Sequence, residues 1–135
     1  MLDPLINRRQ EKTVTFQQRL ANPDMNGVFD VMPAEVAELA QAQPNQICLV
    51  DVREPNEFTG ELGHVADSRL VVLNSILDQL ETLPKDKTIV FICKSGGRSA
   101  RAAAYAQANG YSDVYNMRGG MLLWNSLRLP VSQGT

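Results

Sequence analysis

The chain has 135 residues, of which 44% are hydrophobic and 21% are charged, and its formal net charge is −2 at pH 7. A chain of this length can bury one core without disulfides or metals, so we expect a globular protein built on one main domain. The near-neutral charge provides no basic field, which excludes nucleic acid as an expected partner. Two cysteines and one histidine are too few for a disulfide framework or a closed zinc site, so the sequence predicts no metal and no other cofactor.

We expect no signal for export or membrane insertion in the N-terminal region. It reads MLDPLINRRQEKTVTF, without an apolar core of signal-peptide length, and no segment of the chain approaches the length that spans a membrane. We therefore expect a cytoplasmic protein with no membrane partner, in a reducing compartment where free thiols persist. Residues 1–27 end in the turn-forming sequence NPDMNG and are predicted to be an N-terminal extension, either an arm or an extra helix, before a domain of residues 28–135.

From residue 28 onward, predicted strands and helices alternate. In chain order they are a strand at 28–31, a helix at 33–42, strands at 47–52 and 68–73, a helix at 74–83, a strand at 87–93, a helix at 98–110, a strand at 113–117 and a helix at 120–127. Residues 53–58 are turn-like. This alternation predicts the α/β class, with a mostly parallel sheet of five strands and helices on both of its faces.

Individual residues support several of these elements. Pro33 suits the first turn of the helix at 33–42, and Gly110 lies where a glycine commonly ends a helix. The run at 47–52 is almost continuously apolar, which is typical of a strand buried on both faces. The segment 74–83 has helical spacing of its apolar residues, which are Ile76, Leu77, Leu80 and Leu83.

A candidate nucleophile follows the fourth predicted strand, in the sequence FICKSGGRS. Here Cys93 lies at the carboxyl end of the strand, which is where ligands bind in an open parallel sheet. Gly96 and Gly97 allow the chain to turn tightly, because glycine tolerates positive φ. The helix that follows presents its free N–H groups and the positive end of its dipole to the loop. A thiol in such surroundings is expected to ionise easily, since its thiolate form is stabilised.

The charges around this cysteine are all positive in sequence. Lys94, Arg98 and Arg101 follow it, and no acidic residue occurs between positions 87 and 112. This pattern predicts a local cationic pocket around one nucleophilic sulfur, which suits an anionic substrate. The loop matches neither a P-loop nor a dinucleotide fingerprint, but it can form an oxyanion cradle. Cys48, inside an apolar strand, is expected to be an inert core residue that forms no disulfide with Cys93.

Three segments together resemble the rhodanese-like sulfurtransferases, over residues 28–131. They are DVREPNEF through GELGHV (51–65), VFICKSGGRSARAA (90–103) and YNMRGGMLLWNSLRLPV (115–131). The resemblance implies a three-layer fold around a central sheet of five mostly parallel strands. It also implies sulfur transfer, because four residues separate Cys93 from Arg98. The related dual-specificity phosphatases and arsenate reductases have one residue more between cysteine and arginine, a place that Ser99 occupies here.

The resemblance also implies a mechanism and a set of partners. Cys93 would take sulfane sulfur from a small anionic donor such as thiosulfate, and the resulting persulfide would pass it to a thiol or to cyanide. A protein could serve as the acceptor instead. The anion-binding loop would consist of Lys94, Ser95, Gly96, Gly97, Arg98 and Ser99.

Other residues are given supporting roles by the same resemblance. Asp51 and Arg53 are expected to form a structural pair near the pocket. His64 is expected to be structural rather than a partner of the cysteine, and Trp124 to belong to the core or to the pocket wall. Whether Arg118 faces the pocket is left open. The family usually has a Pro-Gly-Ala turn where this chain has ADSRL (66–70). A different turn is therefore predicted at this edge of the pocket.

Three further functions are weighed against a thiosulfate-type enzyme. A persulfide carrier would react slowly with cyanide and quickly with a protein, and the sequence does not separate it from the enzyme. A non-catalytic binding or regulatory module is disfavoured, because such modules commonly lack the cysteine that is present here. A redox sensor would need a reactive thiol, and it is weakened by the absence of a second cysteine near Cys93 in sequence.

Overall fold

A six-stranded sheet forms the centre of the protein, whose computed structural model describes residues 13–134. Its strands in sequence are β1 (Leu20–Ala21), β2 (Phe29–Val31), β3 (Ile47–Asp51), β4 (Arg69–Leu70), β5 (Thr88–Ile92) and β6 (Val114–Met117). Their order across the sheet is β1-β2-β6-β5-β3-β4. Strands β2 to β6 correspond to the five predicted ones, although β4 covers only two of the six residues predicted at 68–73. All five pair in parallel, whereas β1 is an antiparallel edge strand that was not predicted.

Helices cover both faces of the sheet, so the predicted α/β class is confirmed. They are α1 (Pro33–Ala42), α2 (Pro55–Phe58), α3 (Ile76–Gln79), α4 (Gly97–Ala108) and α5 (Gly120–Ser126). Helices α1 and α5 pack together on one face, and α3 and α4 pack together on the other. No helix in the described part of the chain is long and apolar enough to cross a membrane.

The alternation of side chains along β5 divides the core into two clusters. Val90 and Ile92 belong to the cluster on the α1 and α5 face, whereas Ile89 and Phe91 belong to the cluster on the α4 face. Because successive side chains of a strand point to opposite faces, Cys93 continues the second set. The sulfur therefore lies on the α4 side of the sheet, just past the end of its strand.

The predicted helix at 74–83 is wrong in its form. The segment consists of a 3₁₀ turn at Leu73–Ser75, the short helix α3 and a second 3₁₀ turn at Leu80–Thr82. An apolar residue every three or four positions fits a 3₁₀ turn as well as an α-helix, so the spacing could not separate the two. Leu77 is also 59% exposed, so it does not share the buried face with the other apolar residues of the segment.

The segment predicted to be turn-like contains helix α2. Pro55 occupies its first turn, and Glu54 and Glu57 form a reciprocal capping box in which each side chain bonds the backbone N–H of the other. Proline at the first helical position and acidic residues three apart are known start signals, and they could have revealed the helix in the sequence. The consequence for the site is that α2 fixes the position of Glu57.

The described part of the N-terminal segment, residues 13–27, packs against the sheet without forming a helix. Val14 and Phe16 are buried in the cluster on the α1 face, and the Val14 amide donates to Thr88 Oγ1 at 2.9 Å. Farther along, β1 pairs with β2. The prediction of an arm or extra helix also covers residues 1–12, which lie outside the described residues.

Candidate active site

The Cys93 sulfur lies at the N-terminus of α4, inside the loop that follows β5. The residue is 1% exposed, and Sγ accepts a hydrogen bond from the Gly96 amide at 3.0 Å. The Ser99 hydroxyl lies 3.1 Å from the same sulfur. Gly96 has φ +108°, a conformation that side-chain-bearing residues rarely adopt, and this allows the loop to fold back over the sulfur. The amides of the first turn of α4 have no partner within the helix, so they are available to an anion bound there.

Helix α5 holds the outer side of this loop. The Met121 amide donates to the Cys93 carbonyl at 2.9 Å, and the Leu122 amide donates to the Lys94 carbonyl at 3.0 Å. Gly120 makes this contact possible, because a Cβ there would lie 2.4 Å from the Cys93 carbonyl oxygen. With its carbonyls held outward by α5, the loop can direct its amides inward. Gly120, one of the two glycines in the C-terminal segment of the family resemblance, therefore has a direct role in shaping the loop.

Arg98 forms an ion pair with Glu57 that the sequence did not reveal. Its two terminal nitrogens lie 2.7 and 3.0 Å from the two carboxylate oxygens, across 41 residues of sequence. The hydrogen bonds from Arg98 lower the pKa of Glu57 from 4.5 to about 2, and those to Glu57 raise the pKa of Arg98. The guanidinium is thus fixed at the mouth of the loop with its charge largely compensated. No acidic residue occurs near Cys93 in the sequence, but the fold brings the Glu57 carboxylate to Arg98.

Asp51 and Arg53 form a second pair, which is fully buried. The shortest contact joins Arg53 Nη2 to Asp51 Oδ2 at 2.8 Å, and the side chains are 1% and 0% exposed. Arg53 also donates to the carbonyls of Gly63 at 2.7 Å and of Glu57 at 3.2 Å. The pair therefore joins the end of β3 to α2, and through Glu57 it supports the position of Arg98.

A buried polar network continues from Ser99 away from the sulfur. Ser99 Oγ also lies 2.5 Å from Asn116 Oδ1, and a hydroxyl has only one proton to donate, so the sulfur and the amide oxygen compete for it. Asn116 Nδ2 in turn donates to Asp30 Oδ1 at 2.9 Å, which fixes the orientation of the amide. Asp30 also accepts from Arg118 Nε at 2.9 Å. Asn116 and Asp30 were not identified from the sequence, since their partners lie far away along the chain.

An open cavity of about 840 Å³ lies over the loop. Of the predicted anion-binding loop, Ser95, Gly96, Gly97 and Arg98 line it, whereas Lys94 is exposed outside it and Ser99 is buried beneath it. Arg118 also lines the cavity, which answers the question left open by the sequence. Among residues 13–134, no group of three or more histidine, cysteine, aspartate and glutamate side chains could hold a metal ion.

The remaining predicted residues lie in structural positions. His64 stacks on the Phe58 ring, with 3.7 Å between the ring centroids, and its Nδ1 donates to the Phe58 carbonyl at 2.8 Å. Trp124 is 2% exposed in the core, and its indole N–H donates to the Pro130 carbonyl. Both cysteines are free, as expected, and burial raises the pKa of Cys48.

The ADSRL segment forms a turn in which Asp67 takes the left-handed conformation, with φ +66°. The Ser68 amide closes this turn on the Val65 carbonyl at 3.0 Å. An aspartate thus occupies a conformation that glycine adopts more easily. Ala66 and Asp67 line a separate cavity beside Cys48, not the cavity over the Cys93 loop.

The Glu57–Arg98 pair predicts a pH-dependent contribution to stability. Since the folded-state pKa of Glu57 is about 2, below its ordinary 4.5, its ionised form stabilises the fold. The full contribution is present above about pH 5, and it is lost as the pH falls through 4.5 toward 2. Because both side chains are partly exposed, we expect Glu57→Gln to lower the free energy of unfolding by only about 0.5–1 kcal/mol at neutral pH.

Urea unfolding of the wild type and Glu57→Gln at several pH values between 7 and 3 measures this effect. The difference between the two proteins should shrink steadily as the pH falls below 4.5. Glu38→Gln, on the exposed side of α1, provides a charge-matched control and should show no such trend. A Glu57→Gln difference that stayed constant over the whole range would contradict the assigned ion pair.

Comparison with known proteins assigns the chain to a family. A family model described as "Rhodanese-like domain" matches residues 32–127. The chain is 36% identical to a protein of Allochromatium vinosum named "Sulfurtransferase" over 67% of this chain and 82% of that protein. It is 35% identical to the "Thiosulfate sulfurtransferase GlpE" of Pseudomonas paraeruginosa over 76% of this chain and 90% of that protein.

A solved structure supports the same relationship. The crystal structure of a rhodanese-related protein from Thermoplasma volcanium has a TM-score of 0.70 and 26% identity, over 78% of this chain and 98% of that one. The match at 32–127 contains α1, the Cys93 loop and α5, so it covers the elements that build the site. The chain belongs to the rhodanese-like domain family.

Proposed function

We propose that the protein is a sulfurtransferase that moves sulfane sulfur through a persulfide on Cys93, with thiosulfate as the donor and a thiol or cyanide as the acceptor. The observation that carries this proposal is the hydrogen-bonded cradle of the Cys93 sulfur, formed by the Gly96 amide and the Ser99 hydroxyl at the N-terminus of α4. The printed names of two relatives, "Sulfurtransferase" and "Thiosulfate sulfurtransferase GlpE", support the same chemistry.

In the first half-reaction, the Cys93 thiolate attacks the outer sulfur of thiosulfate. A bond forms between Sγ and that sulfur, the sulfur–sulfur bond of thiosulfate breaks, and its electron pair leaves on sulfite. The negative charge moves from Sγ to the newly bound sulfur. Preorganised N–H groups stabilise such a charge without reorganisation, and the first turn of α4 supplies them. The Ser99 hydroxyl can turn from Asn116 to donate to sulfur in this state.

In the second half-reaction, a thiolate or cyanide attacks the outer sulfur of the persulfide. The bond from that sulfur to Sγ breaks, and its electron pair returns to Cys93 as the thiolate. The products are a new persulfide or thiocyanate. Neither half-reaction needs a proton or an external reductant to balance. We place this chemistry in a reducing compartment such as the cytoplasm, where the free thiol persists.

A phosphatase is the alternative enzyme, and it is disfavoured by the short loop. Four residues separate Cys93 from Arg98, and Arg98, at the mouth of the loop, is paired with Glu57. A larger loop with a free guanidinium would better enclose a tetrahedral phosphoryl group. A protein acceptor remains an alternative to a small one within the same mechanism.

Turnover with thiosulfate and cyanide tests the proposal. We expect the wild type to release sulfite and thiocyanate in equal amounts and to leave p-nitrophenyl phosphate intact. Cys93→Ser should release neither product, whereas Cys48→Ser, which changes the other free thiol, should retain turnover. Hydrolysis of the phosphate ester without thiocyanate formation would instead identify a phosphatase.

A further inference from the structure

The buried polar network beside the Cys93 sulfur extends farther than the two half-reactions require. Its members Ser99 on α4, Asn116 on β6 and Asp30 on β2 are each at most 2% exposed. Asp30 and Asn116 are register partners in the parallel pair of β2 and β6, so their side chains lie on the same face of the sheet. Asp30 precedes residues 32–127, so the family match does not account for the far end of this network.

Asp30 fixes the direction in which the Asn116 amide points. Asn116 Nδ2 donates to Asp30 Oδ1 at 2.9 Å. The same carboxylate accepts from Asn22 Nδ2 at 2.9 Å and from Arg118 Nε at 2.9 Å, so its own position is held by three donors. If the amide turned over, its oxygen would face a carboxylate, and neither of these groups has a proton to donate. Asn116 Oδ1 therefore faces Ser99 as a fixed acceptor.

The Ser99 hydroxyl lies between this fixed acceptor and the sulfur. Its oxygen is 2.5 Å from Asn116 Oδ1 and 3.1 Å from Cys93 Sγ. A hydroxyl has one proton, so Ser99 donates to one of the two at a time. Donation to the sulfur leaves the buried Asn116 oxygen without this hydrogen bond, which costs free energy. Asn116 therefore opposes donation from Ser99 to the sulfur.

A hydrogen bond to Cys93 Sγ stabilises one state of the cysteine more than the other. In the thiolate the negative charge lies on Sγ, whereas in the persulfide it lies on the outer sulfur. Hydrogen bonds to an ionised acceptor are stronger than those to a neutral one, so donation from Ser99 to Sγ favours the thiolate. A more stable thiolate is also a better leaving group and a weaker nucleophile. Withholding the Ser99 proton therefore shifts the exchange with thiosulfate toward the persulfide.

We propose that Asn116 is a positioning residue that keeps the Ser99 proton from the Cys93 sulfur and so favours the persulfide over the free thiolate. Asp30 contributes to this role, because it prevents the amide from turning and offering its N–H group to Ser99 instead. The inference rests on the proposed transfer of sulfur through Cys93. It adds no bond changes to those of the two half-reactions.

The test measures the equilibrium of the first half-reaction, in which thiosulfate and the Cys93 thiolate form sulfite and the persulfide. The protein is mixed with thiosulfate and sulfite at a fixed ratio, and the fraction of persulfide is measured by intact-protein mass. Measurements are made at pH values high enough that the equilibrium constant no longer changes with pH. A variant that merely slows the reaction in both directions leaves this constant unchanged.

Asn116→Leu removes the acceptor with little change in size, and it should lower the equilibrium constant for persulfide formation about threefold to tenfold. The Asp30 carboxylate keeps its bonds from Asn22 and Arg118 in this variant, so we expect the protein to fold. Asn116→Val also removes the acceptor and suits a strand, so it replaces the leucine variant if that one does not fold. In a Ser99→Ala background, Asn116→Leu should leave the constant unchanged, because the proton that it would release is absent.

The outcomes separate this inference from the proposed function. The matched control Asn45→Leu, at an exposed position before β3 and thus at the opposite edge of the sheet, should keep the wild-type constant. If the wild type forms no persulfide, the proposed function itself fails. If it does and Asn116→Leu keeps the wild-type constant, the positioning role is wrong while the proposed function stands. An equal decrease with and without the Ser99 hydroxyl would also overturn the inference, because Asn116 would then not act through Ser99.

Discussion

Replacing Arg53 by methionine is expected to lower the free energy of unfolding by about 3–5 kcal/mol, because it leaves the carboxylate of Asp51 buried without its cation. The same change removes the donors to the carbonyls of Gly63 and Glu57. Methionine is similar in length and flexible, so little of the loss should come from an empty cavity. Urea unfolding at pH 7 measures the effect.

A double variant separates the cost of the unpaired charge from the value of the pair. Asp51→Leu combined with Arg53→Met removes both charges, and we expect it to be less destabilised than Arg53→Met alone. Asp78→Ala, which removes an exposed carboxylate from α3, should change stability by less than about 0.5 kcal/mol. A wild-type stability for Arg53→Met would show that the buried pair does not hold this part of the fold.

Replacing Gly120 by alanine is expected to disturb both the fold and the loop. Its φ is +56°, and the new Cβ would lie 2.4 Å from the Cys93 carbonyl oxygen and 2.5 Å from the Lys94 backbone. Because the obstacle is backbone on both sides, α5 or the loop must move, at a cost of about 2–4 kcal/mol. We also expect sulfur loading of the remaining folded protein to slow by more than about tenfold, since the amides shift from the sulfur.

Gly97→Ala provides the control within the same loop. Gly97 has no atom within 4 Å of the position of a Cβ, and its φ is not positive. It begins α4, so alanine there should leave stability unchanged or raise it by up to about 1 kcal/mol. Thermal unfolding of the two variants compares them directly. Equal stabilities would mean that the contact between α5 and the loop is not close.

Much of the fold follows from local patterns in the sequence. The parallel strands are buried on both faces, so they appear as apolar runs, and β3 and β5 were predicted nearly to their ends. Helix α1 has the predicted bounds, with Pro33 at its start. Gly110 ends α4 in the left-handed conformation, with φ +92°, as its position suggested. In each case one short segment contains the whole signal.

The errors occur where the deciding contact is distant or the segment is short. Strand β1 has two residues and is fixed by its pairing with β2, which no local pattern reveals. The site shows the same limit. The Cys93 loop was recognisable in the sequence, but its distant partners were not. Glu57 and Asp30 lie outside that loop, and only the fold brings them to Arg98 and Asn116. The shape of the cradle was predictable, but the neutralisation of its charge was not.

Intact-protein mass after incubation with thiosulfate tests the central claim most directly. The wild type and Cys48→Ser should gain one sulfur atom, which cyanide or a thiol then removes, and Cys93→Ser should gain none. This result would identify Cys93 as the residue that carries the sulfur. An unchanged mass for the wild type, or an equal gain in Cys93→Ser, would contradict transfer through a Cys93 persulfide.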